Sequence, residues 1–251
     1  MLAAAGLPDR ADGALALGER ILGAANYEIA IVKPQVAFFE RFGAEGFKAL
    51  EELSAQARTR EVLVLADAKR GDIDSTADAY GEAWFGHSAL RADALTVHAY
   101  LGLDALGGLI ERARRAAAGV LVVVRSSNPE GAALQRTGPD GARVAEQLAD
   151  GISAYNARLI AEGTGLIGAV VGATCADAGE IVARLPRSVI LAPGVGAQGA
   201  SFADVATRFY RARERLLPNV SRAVLANGGA VGDIRSALRV LSDEAKRALS
   251  F

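Results

Sequence analysis

The stretch EVLVLADAKRGDIDST, residues 61–76, passes from an apolar run straight into a dense set of charges. A short run rich in Val and Leu that ends at polar residues predicts a strand over Glu61–Asp67. Asp67 and Lys69 stand two apart, so on an extended backbone both side chains share one face, and in a desolvated setting such unlike charges interact strongly. Similar runs recur along the chain at Tyr27–Lys33, Ala92–His98, Gly119–Arg125, Leu166–Gly172, Ser188–Ala192 and Val220–Ala226. Segments of helical period lie between them. Phe47, Leu50, Leu53 and Ala57 mark one helix, Ile234, Leu238, Leu241 and Ala245 another, and the first element, Gly13–Ala24, is also helical.

Strands alternating with helices indicate βαβ units and a parallel sheet. The order is a helix, then seven strand–helix pairs, with no shift of composition to divide residues 1–251 into domains. An α/β barrel reaches about 250 residues as a single unit. Seven strands preceded by a helix fit an eight-stranded barrel that lacks its first strand, whereas a doubly wound sheet shows no such deficit. Both architectures place chemistry at the carboxyl ends of their strands.

Composition narrows the function classes. With 51% apolar residues the chain can bury a large core, which excludes disorder. The 28 basic and 29 acidic residues supply no bulk field for nucleic acid or a membrane surface. One cysteine, Cys175, and two histidines, His87 and His98, give little support to disulfide or zinc chemistry. The first residues lack the basic and apolar regions of a secretion signal, and no run is long enough to span a membrane. A cytoplasmic protein acting on a small molecule is expected.

Three strand ends carry the candidate chemistry. The first is Asp67 with Lys69. The second is Lys33, which closes EIAIVK: the chain has 24 arginines but only four lysines, and two of the four sit at strand ends. Lysine there fits tasks arginine does badly, such as giving up a proton. The third is the glycine-rich turn Pro193–Gly199 followed by Arg222 in the next unit. Backbone N–H groups and an arginine at the last two strand–helix loops of a barrel suit a phosphate.

Together these residues carry a resemblance over nearly the whole chain. VKPQxxFFE (Val32–Glu40), DAKRGDI with Thr76, SSNPEG (Ser126–Gly131), VVGAT (Val170–Thr174), APGVGAQG ending at Gly199 and VSR (Val220–Arg222) resemble the orotidine 5′-phosphate decarboxylases of the type 2 bacterial subgroup. The resemblance implies a (β/α)8 barrel whose first strand is absent from this sequence. It implies that Lys33, Asp67, Lys69 and Asp72 form an alternating charged network, with Asp72, Ile73 and Thr76 reaching into the site of a second subunit of a homodimer. Ser127 is implied to hydrogen-bond the pyrimidine, Pro193 to pack near the ring, and Gln198 and Arg222 to grip the phosphate. The implied reaction uses no cofactor or metal: orotidine 5′-phosphate loses CO2 through a C6 carbanion that Lys69 protonates.

The chain departs from the family in places. It has no opening strand ending in Asp-Pro-His, so either the true start lies upstream or the barrel is open with weakened ribose binding. Asp74 stands where glycine is usual. Arg125-Ser126 replaces a Leu-Thr type of pair, and a charge ending an apolar strand needs a partner or water. Two rival readings remain. A Mg2+-dependent phosphosugar enzyme of the same barrel group shares D-x-K-x-x-D but lacks the KPQxxFFE and SNPEG pair. A non-catalytic nucleotide-binding paralogue, or a truncated inactive enzyme, answers to the absent strand. Cys175, Trp84, Phe85 and His98 are expected to be structural core residues.

Overall fold

Parallel strands follow one another in sequence order through one seven-stranded sheet: β1 (Ile31–Val32), β2 (Leu63–Arg70), β3 (Ala94–Val97), β4 (Gly119–Arg125), β5 (Ile167–Val171), β6 (Ile190–Pro193) and β7 (Leu216–Asn219). This arrangement is that of a computed structural model, which describes residues 1–25, 28–138, 143–159, 165–196 and 199–249. Helices return the chain between strands. They are α1 (Ala11–Ala25), α2 (Ala37–Glu40), α3 (Gly43–Thr59), α4 (Asp74–Phe85), α5 (Gly107–Arg115), α6 (Pro129–Gln135), α7 (Val144–Leu159), α8 (Ala178–Ala183), α9 (Phe202–Arg208) and α10 (Val231–Leu249).

Two apolar layers explain the shape. The larger lies between sheet and helices and takes Leu50, Leu53 and Ala57 from α3, Trp84 and Phe85 from α4, and alternate strand residues such as Val120 and Val122. The smaller lies on the other face, where Leu65, Leu121, Val170 and Leu191 pack together. Ile31 of β1 and Leu217 of β7 touch this same inner cluster, so the two edge strands curl toward one interior. A cavity of about 210 Å³ opens there, lined by Ile31, Leu65, Leu121, Leu166 and Leu217 among others. The fold is an α/β barrel of seven strands, one short of the eight-stranded form, with β1 and β7 at the edges of the sheet.

Both edges of the sheet differ from the strands expected there. The strand expected at Val220–Ala226 is instead β7, and Arg222–Leu225 is a turn of 3-10 helix. Pro218 disguises β7, because a residue without an N–H is poorly suited to a central strand, yet an edge strand tolerates it. At the other edge, pairing begins only at Ile31, and Tyr27 lies outside the described residues.

Val224 of the 3-10 turn packs with Ala24, Ile234 and Leu238 in a small cluster between α1 and α10. That cluster anchors the turn which starts at Arg222. Among the described residues no helix is long and apolar enough to cross a membrane.

Candidate active site

Lys33, Asp67 and Lys69 meet at the carboxyl ends of β1 and β2. The segment after β1 stays in register with β2, with Asp67 N–H donating to the Pro34 carbonyl at 3.0 Å and Val36 N–H donating to the Asp67 carbonyl at 3.2 Å. This extension carries Lys33 to within 2.6 Å of Asp67 Oδ2. Lys69 Nζ donates to the other oxygen, Oδ1.

The Asp67–Lys69 pair does not rest on a regular extended backbone, as the two-residue spacing predicts. Between the Ala66↔Leu95 and Arg70↔Val97 pairs, Asp67, Ala68 and Lys69 stand opposite Thr96 alone. The strand bulges, and Lys69 takes a φ of 49°, a left-handed conformation that costs a non-glycine residue about 1–3 kcal/mol. Thr96 secures the bulge. Its Oγ1 accepts from Lys69 N–H at 3.0 Å and donates to Asp67 Oδ1 at 2.9 Å.

Burial by itself would raise the Asp67 carboxyl, but the lysines at both oxygens overcome it and hold the group below its usual range. Asp67 is 8% exposed, whereas the Lys69 side chain is 38% exposed and opens toward the barrel mouth. The arrangement is a fixed, ionised carboxylate carrying one enclosed ammonium and one accessible ammonium. It can present positive charge, and a transferable proton, to an anionic centre at the mouth.

His98 is corrected by the structure. It does not lie in the core but is exposed at the end of β3, with its N–H donating to the Arg70 carbonyl at 2.8 Å. Partial enclosure and the nearby Lys69 charge lower the imidazole pKa, with Asp67 opposing. Gly71 permits this crossing, since a Cβ there would stand 2.4 Å from the His98 carbonyl oxygen. The two motifs of the first strands are also tied together by an ion pair between Arg70 and Glu40. Cys175, Trp84 and Phe85 are buried as expected, and burial pushes the Cys175 thiol up.

Asp72 does not join the cluster. Its carboxylate accepts from Ile73 N–H at 2.8 Å, and among the described residues no ion pair links it to Lys33 or Lys69. Ile73 and Thr76, at the start of α4, are both exposed. Asp74 has a φ of 46°, the conformation at which glycine is at ease.

Of the remaining expected residues, Ser127, Pro193 and Arg222 stand at or beyond the carboxyl ends of β4, β6 and β7. Ser127 is exposed beyond β4, and Pro193 ends β6 half-buried. Gly194, Gly196 and Gly199 all have positive φ, and Gly199 N–H closes onto the Gly196 carbonyl at 2.9 Å. Gly196 faces the next loop: a Cβ on it would lie 3.6 Å from Ala223, beside the exposed Arg222. The glycine turn and Arg222 are thus neighbours. Gln198 lies outside the described residues.

Sequence reasoning missed Thr96 and Asp177. Thr96 reads as an ordinary β-former, although a polar residue two before His98 in ALTVH was a signal. Asp177 is the partner of Arg125, at 3.1 Å.

The orotidine 5′-phosphate decarboxylase / HUMPS family model matches residues 14–237. Orotidine 5′-phosphate decarboxylase of Myxococcus xanthus is 47% identical over 236 residues, covering 93% of this chain and 82% of its own. The Salinispora arenicola enzyme of the same name is 45% identical over 97% of this chain and 87% of its own. A solved Streptomyces avermitilis structure, assigned by name to the same enzyme, superposes with a TM-score of 0.91 at 41% identity, covering all of this chain and 87% of that one. The chain belongs to the orotidine 5′-phosphate decarboxylase / HUMPS family.

Proposed function

We propose that residues 1–251 act as one domain that converts orotidine 5′-phosphate to uridine 5′-monophosphate and CO2 by the following route. The activity, that of a carboxy-lyase, follows from relatives named orotidine 5′-phosphate decarboxylase at 45–47% identity. The observation that carries the mechanism is the Lys33–Asp67–Lys69 cluster, in which an ionised carboxylate fixes an accessible ammonium at the mouth of the barrel.

The bond between C6 and the carboxylate breaks, CO2 departs, and the electron pair stays on C6. Lys69 stabilises that developing charge and delivers its Nζ proton to C6, then regains a proton from solvent. Lys33 orients Asp67 and contacts the ribose. Ser127 hydrogen-bonds the pyrimidine, Pro193 packs against its edge, and Arg222 with Gln198 and the glycine turn grips the phosphate. Phosphate binding closes the loops and organises the charged network around the ring. No cofactor takes part in this scheme, and the setting is the cytoplasm.

The protein acts as a homodimer with shared sites. Asp72, Ile73 and Thr76 lie apart from this chain's own cluster and complete that of the neighbour. The exposed apolar residues Phe38 of α2, Ile73 before α4, and Tyr100 and Leu101 follow the carboxyl ends of β1, β2 and β3, and support a contact there.

The test is the absorbance decrease of orotidine 5′-phosphate in EDTA, for the protein and for Lys69→Ala. Turnover that needs no added metal and disappears in the variant is expected; retained turnover in Lys69→Ala removes the lysine from the proton transfer. For the shared site, Lys69→Ala and Asp72→Ala are mixed after separate purification. Restored turnover is expected, because one site of each mixed dimer has both wild-type residues, and its absence overturns sharing.

A further inference from the structure

We propose that Arg125, Asp177 and Gln135 form a positioning clamp that presets the loop after β4 for the pyrimidine ring. The proposal rests on the reading of Ser127 as the residue that meets the base. Arg125 is the last residue of β4 and is 7% exposed. Its Nε donates to both oxygens of the buried Asp177, at 3.1 and 3.2 Å. Another arm of the guanidinium donates to the Ser126 carbonyl at 2.6 Å and to Gln135 Oε1 at 3.2 Å.

Gln135, at the end of α6, grips the same residue from the other side. Its Oε1 accepts from Ser126 N–H at 2.9 Å, and its Nε2 donates to Ser126 Oγ at 2.8 Å. Cys175 Sγ donates to the Ser126 carbonyl at 3.4 Å. The N–H, the carbonyl and the hydroxyl of Ser126 therefore all have partners, and that carbonyl belongs to the peptide bond that leads into Ser127. Turning this peptide breaks a charge-assisted bond in a low-dielectric setting. Below it the backbone just past β5 comes close, since a Cβ on Gly172 would stand 2.9 Å from both Ser127 Cβ and Ser127 N. Ser127 is held from behind by the clamp and from beneath by Gly172.

Stability alone does not account for this arrangement. A buried ion pair contributes little net stability compared with a well-packed apolar residue at the same place. What arginine adds is direction, because its planar fork fixes several acceptors at once. Asp177 is held in its turn by Arg143 at 3.5 Å and Arg136 at 3.9 Å, so its carboxylate cannot swing away from Arg125 freely. A loop ordered before the nucleotide arrives spares the ligand the free energy of ordering it. Only a ligand that carries the base benefits.

Isothermal titration with uridine 5′-monophosphate and with ribose 5-phosphate tests this, using Gln135→Leu, Arg125→Met, Ser127→Ala and the Gln135→Leu/Ser127→Ala pair. Arg125→Met keeps much of the apolar stem. Gln135→Leu and Arg125→Met are expected to weaken uridine 5′-monophosphate about tenfold, with ribose 5-phosphate changed by less than about twofold. KM for orotidine 5′-phosphate rises more than kcat falls, and Gln135→Leu adds nothing in the Ser127→Ala background. Equal loss for both ligands, or no loss for either, overturns the clamp. Weaker uridine 5′-monophosphate binding in Ser127→Ala alone removes the clamp but leaves Ser127 on the base. An unaffected Ser127→Ala removes the assignment of Ser127, and the clamp falls with it. Should Arg125→Met fail to fold, the two titrations of Gln135→Leu decide between the same outcomes.

Discussion

Two buried carboxylates, Asp67 in β2 and Asp177 at the start of α8, are 8% and 9% exposed, yet their partners differ in kind. Asp67 holds lysines, one enclosed and one open to the mouth. Asp177 holds arginines, and its nearest one also donates to a backbone carbonyl and a side-chain amide. A guanidinium stays protonated and fixes geometry, while an ammonium is compact and can release a proton. In a chain of 24 arginines and four lysines, the choice at each strand end separates the place for chemistry from the place for positioning.

The sharpest way to break this contrast is Lys69→Arg. The substitution keeps a cation beside Asp67 but removes the transferable proton, and turnover is expected to fall about 10²–10⁴-fold while uridine 5′-monophosphate still binds. Near-normal steady-state turnover would mean that charge alone suffices and that the two clusters do not differ in function. Next in size is Arg222→Ala, in the turn after β7, where an arginine serves binding. It is expected to weaken uridine 5′-monophosphate by about 1.5–3 kcal/mol, the worth of a hydrogen bond to a charged group, and to leave uridine binding unaltered by titration. Equal losses for the two ligands would separate Arg222 from the phosphate.

The contrast was only half legible in the sequence. Lys33, Asp67 and Lys69 could be read because each ends an apolar run, and strand ends are where a parallel barrel puts its chemistry. The second cluster could not, because Arg125 and Asp177 are joined only by the fold, across different strand–helix units. The bulge at Lys69 has no local signal either: no glycine marks the positive φ there, and the constraint comes from Thr96 on the neighbouring strand. Asp74 was visible as a departure from the family, and its φ of 46° gives the physical meaning of glycine at that position. Order along the sheet followed from alternation of strand and helix, except at β7, where Pro218 made the true strand look worse than the apolar residues after it.

Thr96→Val tests how the first cluster is held rather than what it does. The change preserves shape but leaves Lys69 N–H without its acceptor and takes one donor from Asp67, in a fully buried setting. A loss of about 1–3 kcal/mol in denaturant unfolding is expected, together with lower turnover as Lys69 relaxes from its bulge. An unchanged midpoint would show that the two lysines hold Asp67 unaided.

The smallest effect is a dependence of stability on pH. The Asp67 carboxyl is lowered in the folded protein, but only by the margin left after its lysines overcome burial. A lowered native pKa means that the unfolded chain binds a proton first. The stabilisation is therefore complete above the ordinary carboxylate pKa of about 3.9 and is lost as pH falls through the lower native value. The difference in unfolding free energy between the protein and Asp67→Asn is accordingly expected to be flat from pH 5 to 8 and to shift against the wild-type protein only in stronger acid. A difference that changes near neutral pH would place the proton on Asp67 in the working range. The lysine cluster would then share the proton among its members, and the division between a fixed carboxylate and a proton-donating lysine would have to be redrawn.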